Sequence, residues 1–274
     1  QRMRFMKQLG PCNFVYTCAE ASRFAHSVGV YYLARRLCLS LKRKNPSLVS
    51  DKMLELVPIA ALYHDIGHGC FSHTFDKITG TNHENRSKEI LRYVVNKYDI
   101  PVTPNDSNEY SIQNLINMID PIHQKNKWYN QIVSNGDVDV DRMDYLIRDS
   151  KATGVSITLN DKSVLKLIDR AYIEPTTLEL VYPSSVNYVI QDLLNSRAYM
   201  YERVYKHHTA LKVEKLITIA LKDKLEKVMQ GTLEDFLAVS DSILTDVYHN
   251  TKDAYIRECI HRIFTRNLII PPSV

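Results

Sequence analysis

This sequence predicts a mainly α-helical fold with one small β-hairpin. Three observations carry that expectation. Apolar residues recur at spacings of three and four through most long segments, the period of a helix face. Glycine (8) and proline (10) are sparse in 274 residues, which disfavours propellers, glycine-rich phosphate loops and disorder. Strand character is confined to 172–182, where Ile173 and the run 178–181 flank the turn residues Glu174-Pro175-Thr176-Thr177.

From about Glu20 to Lys44 the positions His26, Val30, Leu33, Leu37 and Leu41 fall on one stripe, which puts His26 on the buried face of a helix. A second helix is expected over about 50–67, with Val57, Ala61, His64 and His68 as its stripe and Pro58 kinking or restarting it. Further helices are expected at 84–98, 110–119, 139–150, 161–171, 185–229 with a break inside, 232–247 and 252–264. No repeat, low-complexity tract or Pro/Gly/Ser linker divides the chain. A single domain over 1–274 is therefore expected, its C-terminal helical extension beginning near 185. The first five residues start in mid-pattern and 268–274 stop without a polar tail, so both ends read as cuts through a longer protein.

Lys+Arg number 35 against 31 Asp+Glu, a formal charge of +4, too small to point to a nucleic-acid or membrane partner. No run approaches the roughly 18 uncharged apolar residues of a membrane span, and the amino end lacks a signal-peptide pattern. The five cysteines are odd in number and lack zinc-site spacing, which suits reduced thiols in an intracellular protein.

Chemistry concentrates in His64-Asp65-Ile66-Gly67-His68-Gly69-Cys70-Phe71-Ser72-His73-Thr74-Phe75-Asp76. Glycine near a helix end costs about 1 kcal/mol relative to alanine. Gly67 and Gly69 therefore suit a place where backbone approaches a ligand or turns sharply. Neutral imidazole and carboxylate are both good ligands for a metal. Two ligands at one helix end need partners from elsewhere. His26, facing inward, is the natural third, and Asp141 in the acidic run Asp137–Asp144 is the natural fourth. A lone inward histidine is more often a hydrogen-bonded core residue, and acidic residues at a helix start usually complement its dipole. Five of the ten histidines lie between His26 and His83, and buried ionisable groups need partners, which favours a metal site.

In order along the chain, Arg23-Phe24-Ala25-His26, His64-Asp65, Asn82-His83-Glu84 and Asp139-Val140-Asp141-Arg142-Met143-Asp144-Tyr145 resemble the HD-domain phosphohydrolases. Lys7-Gln8-Leu9-Gly10 and the run from His64 to Asp76 are similar to the branch of deoxynucleoside triphosphate triphosphohydrolases that carries a sterile-alpha-motif domain, itself absent here. The likeness extends to about residue 265. It implies a helical HD fold in which His26, His64, Asp65 and Asp141 bind one divalent or trivalent ion: iron, manganese, zinc or magnesium. By the same resemblance His68, His73, Asp76 and His83 form the catalytic group, and Glu84 stands beside His83 as a carboxylate suited to hold its proton. A bound metal acidifies water, and a histidinium can protonate a leaving oxygen.

Arg23 lies three residues before His26 on one helix face. Asp141, Tyr145 and Asp149 fall at i, i+4 and i+8, as do Arg197, Tyr201 and Tyr205. The resemblance implies that Arg23, Arg142 and Arg197 contact the phosphates, where a guanidinium pairs bidentately. It gives Gln8 and Asp149 the sugar 3′-hydroxyl, stacks Tyr145 on the sugar, and sets Leu9 and Tyr205 against its 2′ position. The substrate implied is a dNTP, cleaved to deoxynucleoside and inorganic triphosphate. A homo-oligomer also fits the family. Departures are local: Arg142 stands where the family has lysine, Ala25 where it has an acidic residue, and Tyr182-Pro183-Ser184-Ser185 replaces a basic pair that serves nucleotide activation there. Two other readings compete. One is an HD hydrolase of monophosphates, cyclic nucleotides or guanosine tetraphosphate; the other is a module that binds nucleotide or nucleic acid without turnover.

Overall fold

The computed structural model describes residues 1–100, 111–121, 125–134 and 136–272. Residue 110 of the expected 110–119 helix and the last two residues of the chain lie outside the described residues. The fold is mainly α-helical with one two-stranded sheet among the described residues.

Helix α1 (Arg23–Lys44) opens where the Ser22 hydroxyl accepts the Ala25 N–H at 3.2 Å. Its apolar stripe, with Val30, Leu37 and Leu41 fully buried, packs along α2 (Asp51–Tyr63). α2 runs through Pro58 without restarting there, losing one backbone donor. It also stops early. His64 is its last cap, and 64–72 form a tight turn, so His68 sits on that turn rather than on a helical stripe.

Gly67 and Gly69 mark close approaches of protein rather than of a ligand. A Cβ on Gly67 would stand 2.0 Å from the His83 carbonyl oxygen, and one on Gly69 2.2 Å from the Phe75 ring. Neither has a left-handed backbone; the strained residues are Phe71 and Ser72, at φ 56° and 58°. The turn delivers the chain into α3 (His73–Thr79), a helix whose seven residues are too few to show a period in the sequence. Helix α4 (His83–Lys97) follows, its first turn capped by Asn82.

After α5 (Ile112–Ile119) and a second unpredicted short helix, α6 (Trp128–Gln131), Asp139 caps α7 (Val140–Thr153) by accepting the Arg142 N–H at 2.9 Å. α7 crosses α1 and ends at Gly154, in the left-handed region at φ 71°. Beyond α8 (Asp161–Arg170) the expected hairpin forms from β1 (Tyr172–Ile173) and β2 (Leu180–Val181), antiparallel with Ile173 opposite Leu180. The expected break in 185–229 is a π-helical turn, Tyr201–Tyr205, between α9 (Asn187–Met200) and α10 (His208–Gln230). The stretch 232–247 is two helices, α11 (Leu233–Ala238) and α12 (Ile243–Asn250), followed by α13 (Ala254–Phe264).

One apolar core gathers α1, α2, α5, α7, α8 and α9. A second joins α3 and the turn residues Cys70 and Phe71 to α10, α11, α12 and α13. The turn 64–72 passes from the first core to the second, so groups on α1, α2 and α7 meet groups on α3 and α4 there. No helix among the described residues is long and apolar enough to cross a membrane.

Candidate active site

His26, His64 and Asp141 offer three ligand atoms within 4.8 Å of one another. Both imidazoles are prepared for a metal. His64 Nδ1 donates to the Ala61 carbonyl at 2.7 Å, and His26 Nδ1 donates to Asp144 Oδ2 at 2.8 Å. With Nδ1 donating, each ring in its neutral form would present the Nε2 lone pair to an ion. Both Nε2 atoms are buried and make no hydrogen bond. Yet they lie 3.0 Å (His26) and 3.4 Å (His64) from Asp141 Oδ1. Such spacing without hydrogen-bond alignment is what donors sharing one ion would show, so the residues fit a metal.

Asp65 stands at the edge of this group. Its Oδ1 is 3.3 Å from His64 Nε2, while its Oδ2 accepts from Arg23 Nη1. Burial raises its carboxyl, but His64, Arg23 and His68 outweigh that and hold it well below the usual range. Asp65 is thus an ionised acceptor.

His68, His73, Asp76 and His83 form a second group with ligand-capable atoms within 4.8 Å of one another. The His68 and His83 rings stack at 3.8 Å, with His73 edge-on to both. Asp76 orients His83, its Oδ2 accepting the Nδ1–H at 2.6 Å, while Oδ1 accepts from the buried Arg86. Burial works against the Asp76 charge, but His83 and Arg86 bring its carboxyl down to about 2. His73 is exposed and lines a cavity, where desolvation, Arg23 and His83 push its imidazole down to about 4.

That cavity, about 860 Å³, is lined by Gln8, Leu9, Arg23, His73, Asp76, Tyr145, Asp149, Arg197 and Tyr205 among others. Nine residues singled out from the sequence therefore share one wall system. Two acceptors in it are buried and unpartnered, Gln8 Oε1 and Asp149 Oδ1. Asp149 Oδ2 accepts the Tyr205 hydroxyl at 2.9 Å, and burial raises the Asp149 carboxyl to about 7.

Two expected residues are placed elsewhere. Glu84 is exposed and pairs with Asn82 at 3.2 Å, so the carboxylate that holds the His83 proton is Asp76 instead. Arg142 Nη1 is tied to Asp139 at 2.6 Å and does not line the cavity. Other supporting residues escaped the sequence reading. Asp144 and Arg86 were discoverable: Asp144 sits in the acidic run, and Arg86 lies three residues after His83 on the same helix face. Arg148, which grips Asp144 at 2.8 Å through both Nε and Nη2, gave no comparable signal.

A histidine at a helix end, joined by a histidine and an aspartate from two other helices, makes a group that could hold a metal in a helical protein. The chain carries an HD domain, matched over residues 23–149, and an HD associated region, matched over residues 167–269. It is 31% identical to an HD domain-containing protein, L394, of Acanthamoeba polyphaga mimivirus over 92% of this chain and 59% of that protein. It is 31% identical to the uncharacterized protein YwfO of Bacillus subtilis over 98% of this chain and 64% of that protein. The deoxynucleoside triphosphate triphosphohydrolase SAMHD1 homolog of Dictyostelium discoideum is also 31% identical, over 98% of this chain and 54% of its own length. The chain thus spans under two thirds of each of these relatives.

Proposed function

We propose that this chain is a metal-dependent phosphohydrolase that cleaves a dNTP to deoxynucleoside and inorganic triphosphate. The observation that carries the reading is the pair of unpartnered buried acceptors, Gln8 Oε1 and Asp149 Oδ1, in a cavity that also holds Arg23, Arg197 and His73. A sugar hydroxyl is a donor that satisfies such acceptors, and the arginines suit a polyphosphate. Relatives named as dNTP triphosphohydrolases support the same substrate. His26, His64, Asp65 and Asp141 would hold the ion, which when bound supplies Lewis-acid polarisation of phosphate and water. The mixed nitrogen and oxygen donors suit iron, manganese or zinc better than calcium.

In the reaction a water oxygen bonds the α-phosphorus, the bond from phosphorus to the 5′ oxygen breaks, and that oxygen takes a proton. Arg23 and Arg197 orient the phosphates. His73 lines the cavity and is the group placed to move protons there. His83, oriented by Asp76, backs it. The helices from about 185 onward extend the same unit and contribute Arg197 and Tyr205. Purified protein incubated with each dNTP and Mn²⁺ or Mg²⁺ is expected to release deoxynucleoside and triphosphate in equal amounts. Release of monophosphate, or no turnover with any dNTP, sinks the reading.

Asp144→Asn tests the metal site from behind. Such outer partners of a ligating histidine are worth about 10–100-fold in metal affinity. A chelator competition on the variant should show a loss of that size. Unchanged affinity would mean that Asp144 does not set the His26 ring.

Tyr205→Ala tests sugar discrimination. Leu9 and Tyr205 leave a 2′-hydroxyl without a partner, and an unsatisfied buried hydroxyl costs about 1–3 kcal/mol. At 1.4 kcal/mol per tenfold, wild-type preference for dGTP over GTP in kcat/KM should be about tenfold to a hundredfold. The alanine variant should narrow it, while Tyr205→Phe keeps the bulk and should retain most of it. If Tyr205 only packs between helices, alanine slows both nucleotides equally.

A further inference from the structure

The turn that carries His68 and leads into His73 is fastened from the far end of the chain. Phe71 and Ser72 sit at φ 56° and 58°. For residues with a Cβ this left-handed backbone costs about 1–3 kcal/mol and persists only where the surroundings impose it. Ser72 is the N-cap of α3, so these two residues set the direction in which His73 leaves the turn. Gln8 and Leu9 line the same cavity as Phe71, Ser72 and His73.

Two contacts join the walls directly. The Ser72 hydroxyl lies 2.7 Å from the Lys7 carbonyl oxygen and 3.0 Å from that of Gln8. Gly10, itself at φ 52°, presses so close that a Cβ there would stand 2.7 Å from the Phe71 carbonyl oxygen. The third fastening comes from the loop between α11 and α12. Asp241 Oδ1 accepts the Phe71 N–H at 2.7 Å, and Oδ2 accepts the Lys7 N–H at 2.8 Å. Asp241 does not itself line the cavity. It lies within the HD associated region, outside the span matched by the HD domain.

We propose that Asp241 is a positioning residue for the cavity: one carboxylate, supplied by the HD associated region, ties the Gln8–Leu9 wall to the strained turn that aims His73. The proposal rests on reading this cavity as the substrate pocket. An ionised carboxylate only accepts, and can serve both backbone donors at once. An asparagine of the same shape has one acceptor oxygen and turns its NH₂ toward the other N–H, so one wall is released while the packing is kept.

Asp241→Asn in the full, metal-loaded chain separates positioning from mere support. The kcat/KM for dGTP should fall about ten- to a hundredfold, the scale of a misplacement on the order of 1 Å. The preference for dGTP over GTP should narrow, and amide exchange at Lys7 and Phe71 should quicken, with bound metal held and the melting temperature lowered by no more than a few degrees. Wild-type kinetics in this variant overturn the proposal. So does an equal loss for both nucleotides in step with the folded fraction. A wild type that hydrolyses no nucleotide sinks the functional reading and this proposal with it. An active wild type with an unresponsive variant sinks this proposal alone.

Discussion

Replacing His64 and Asp65 together by alanine is expected to abolish bound metal and hydrolysis in one step. Wild-type protein should carry one tightly held ion per chain, measured by elemental analysis against protein concentration. His64 contributes a buried Nε2 whose lone pair the neutral ring, with Nδ1 donating to Ala61, would present to an ion. Asp65 contributes an ionised carboxylate beside it. Without the pair only His26 and Asp141 remain of the proposed ligands, too few to hold an ion against water. The double variant also leaves Arg23, 2% exposed, without its carboxylate. Removing one partner of a buried pair costs about 3–5 kcal/mol, so the alanine variant can lose its fold along with its metal. Asp65→Asn combined with His64→Gln keeps volume and hydrogen bonding at both positions and removes the ligand chemistry. A folded variant of either kind that retains stoichiometric metal would refute the assignment.

The sequence made part of this legible for physical reasons. Helix α1 and its inward His26 were readable because 22 residues give several turns of apolar period. Helices α3 and α6, seven and four residues long, give too few turns for any period to appear. Pro58 costs α2 one hydrogen bond without restarting the helix, which packs along α1. Gly67 and Gly69 were correctly read as unhelical, but what approaches them is the backbone of α4 and the ring of Phe75. The residue types of the site were visible as a cluster in the sequence, whereas their pairing was not. Which carboxylate serves His83 depends on how α3 lies against α4, and nothing local distinguishes Asp76 from Glu84. Asp241 is further still from local reasoning. It lies 170 residues from Phe71 and 234 from Lys7, and breaks what reads as one helix.

The second large effect is expected from His73→Ala and from His83→Ala, each lowering turnover by about two to four orders of magnitude, the scale of positioned proton transfer. The two histidines differ in what surrounds them, and the variants should differ accordingly. His73 lines the cavity and is held down to about 4, so it rests as a neutral imidazole with a lone pair to offer. A bound polyphosphate brings negative charge that favours its protonated form, so proton uptake should accompany substrate binding. Its removal should strike turnover directly and leave KM nearly unchanged. His83 works through its neighbours, donating to Asp76 and stacking on His68. Its loss leaves Asp76 still paired with Arg86, so the fold and the cavity should survive. His83→Gln, which can restore a donor toward Asp76 but no proton transfer, distinguishes orientation from chemistry: recovery of turnover would make His83 a spacer. Metal content is the decisive companion measurement, because both histidines also belong to a group whose atoms could themselves hold an ion. Turnover lost with metal retained assigns them to proton transfer. Metal lost from either variant would place that histidine among the ligands and give the site two ions.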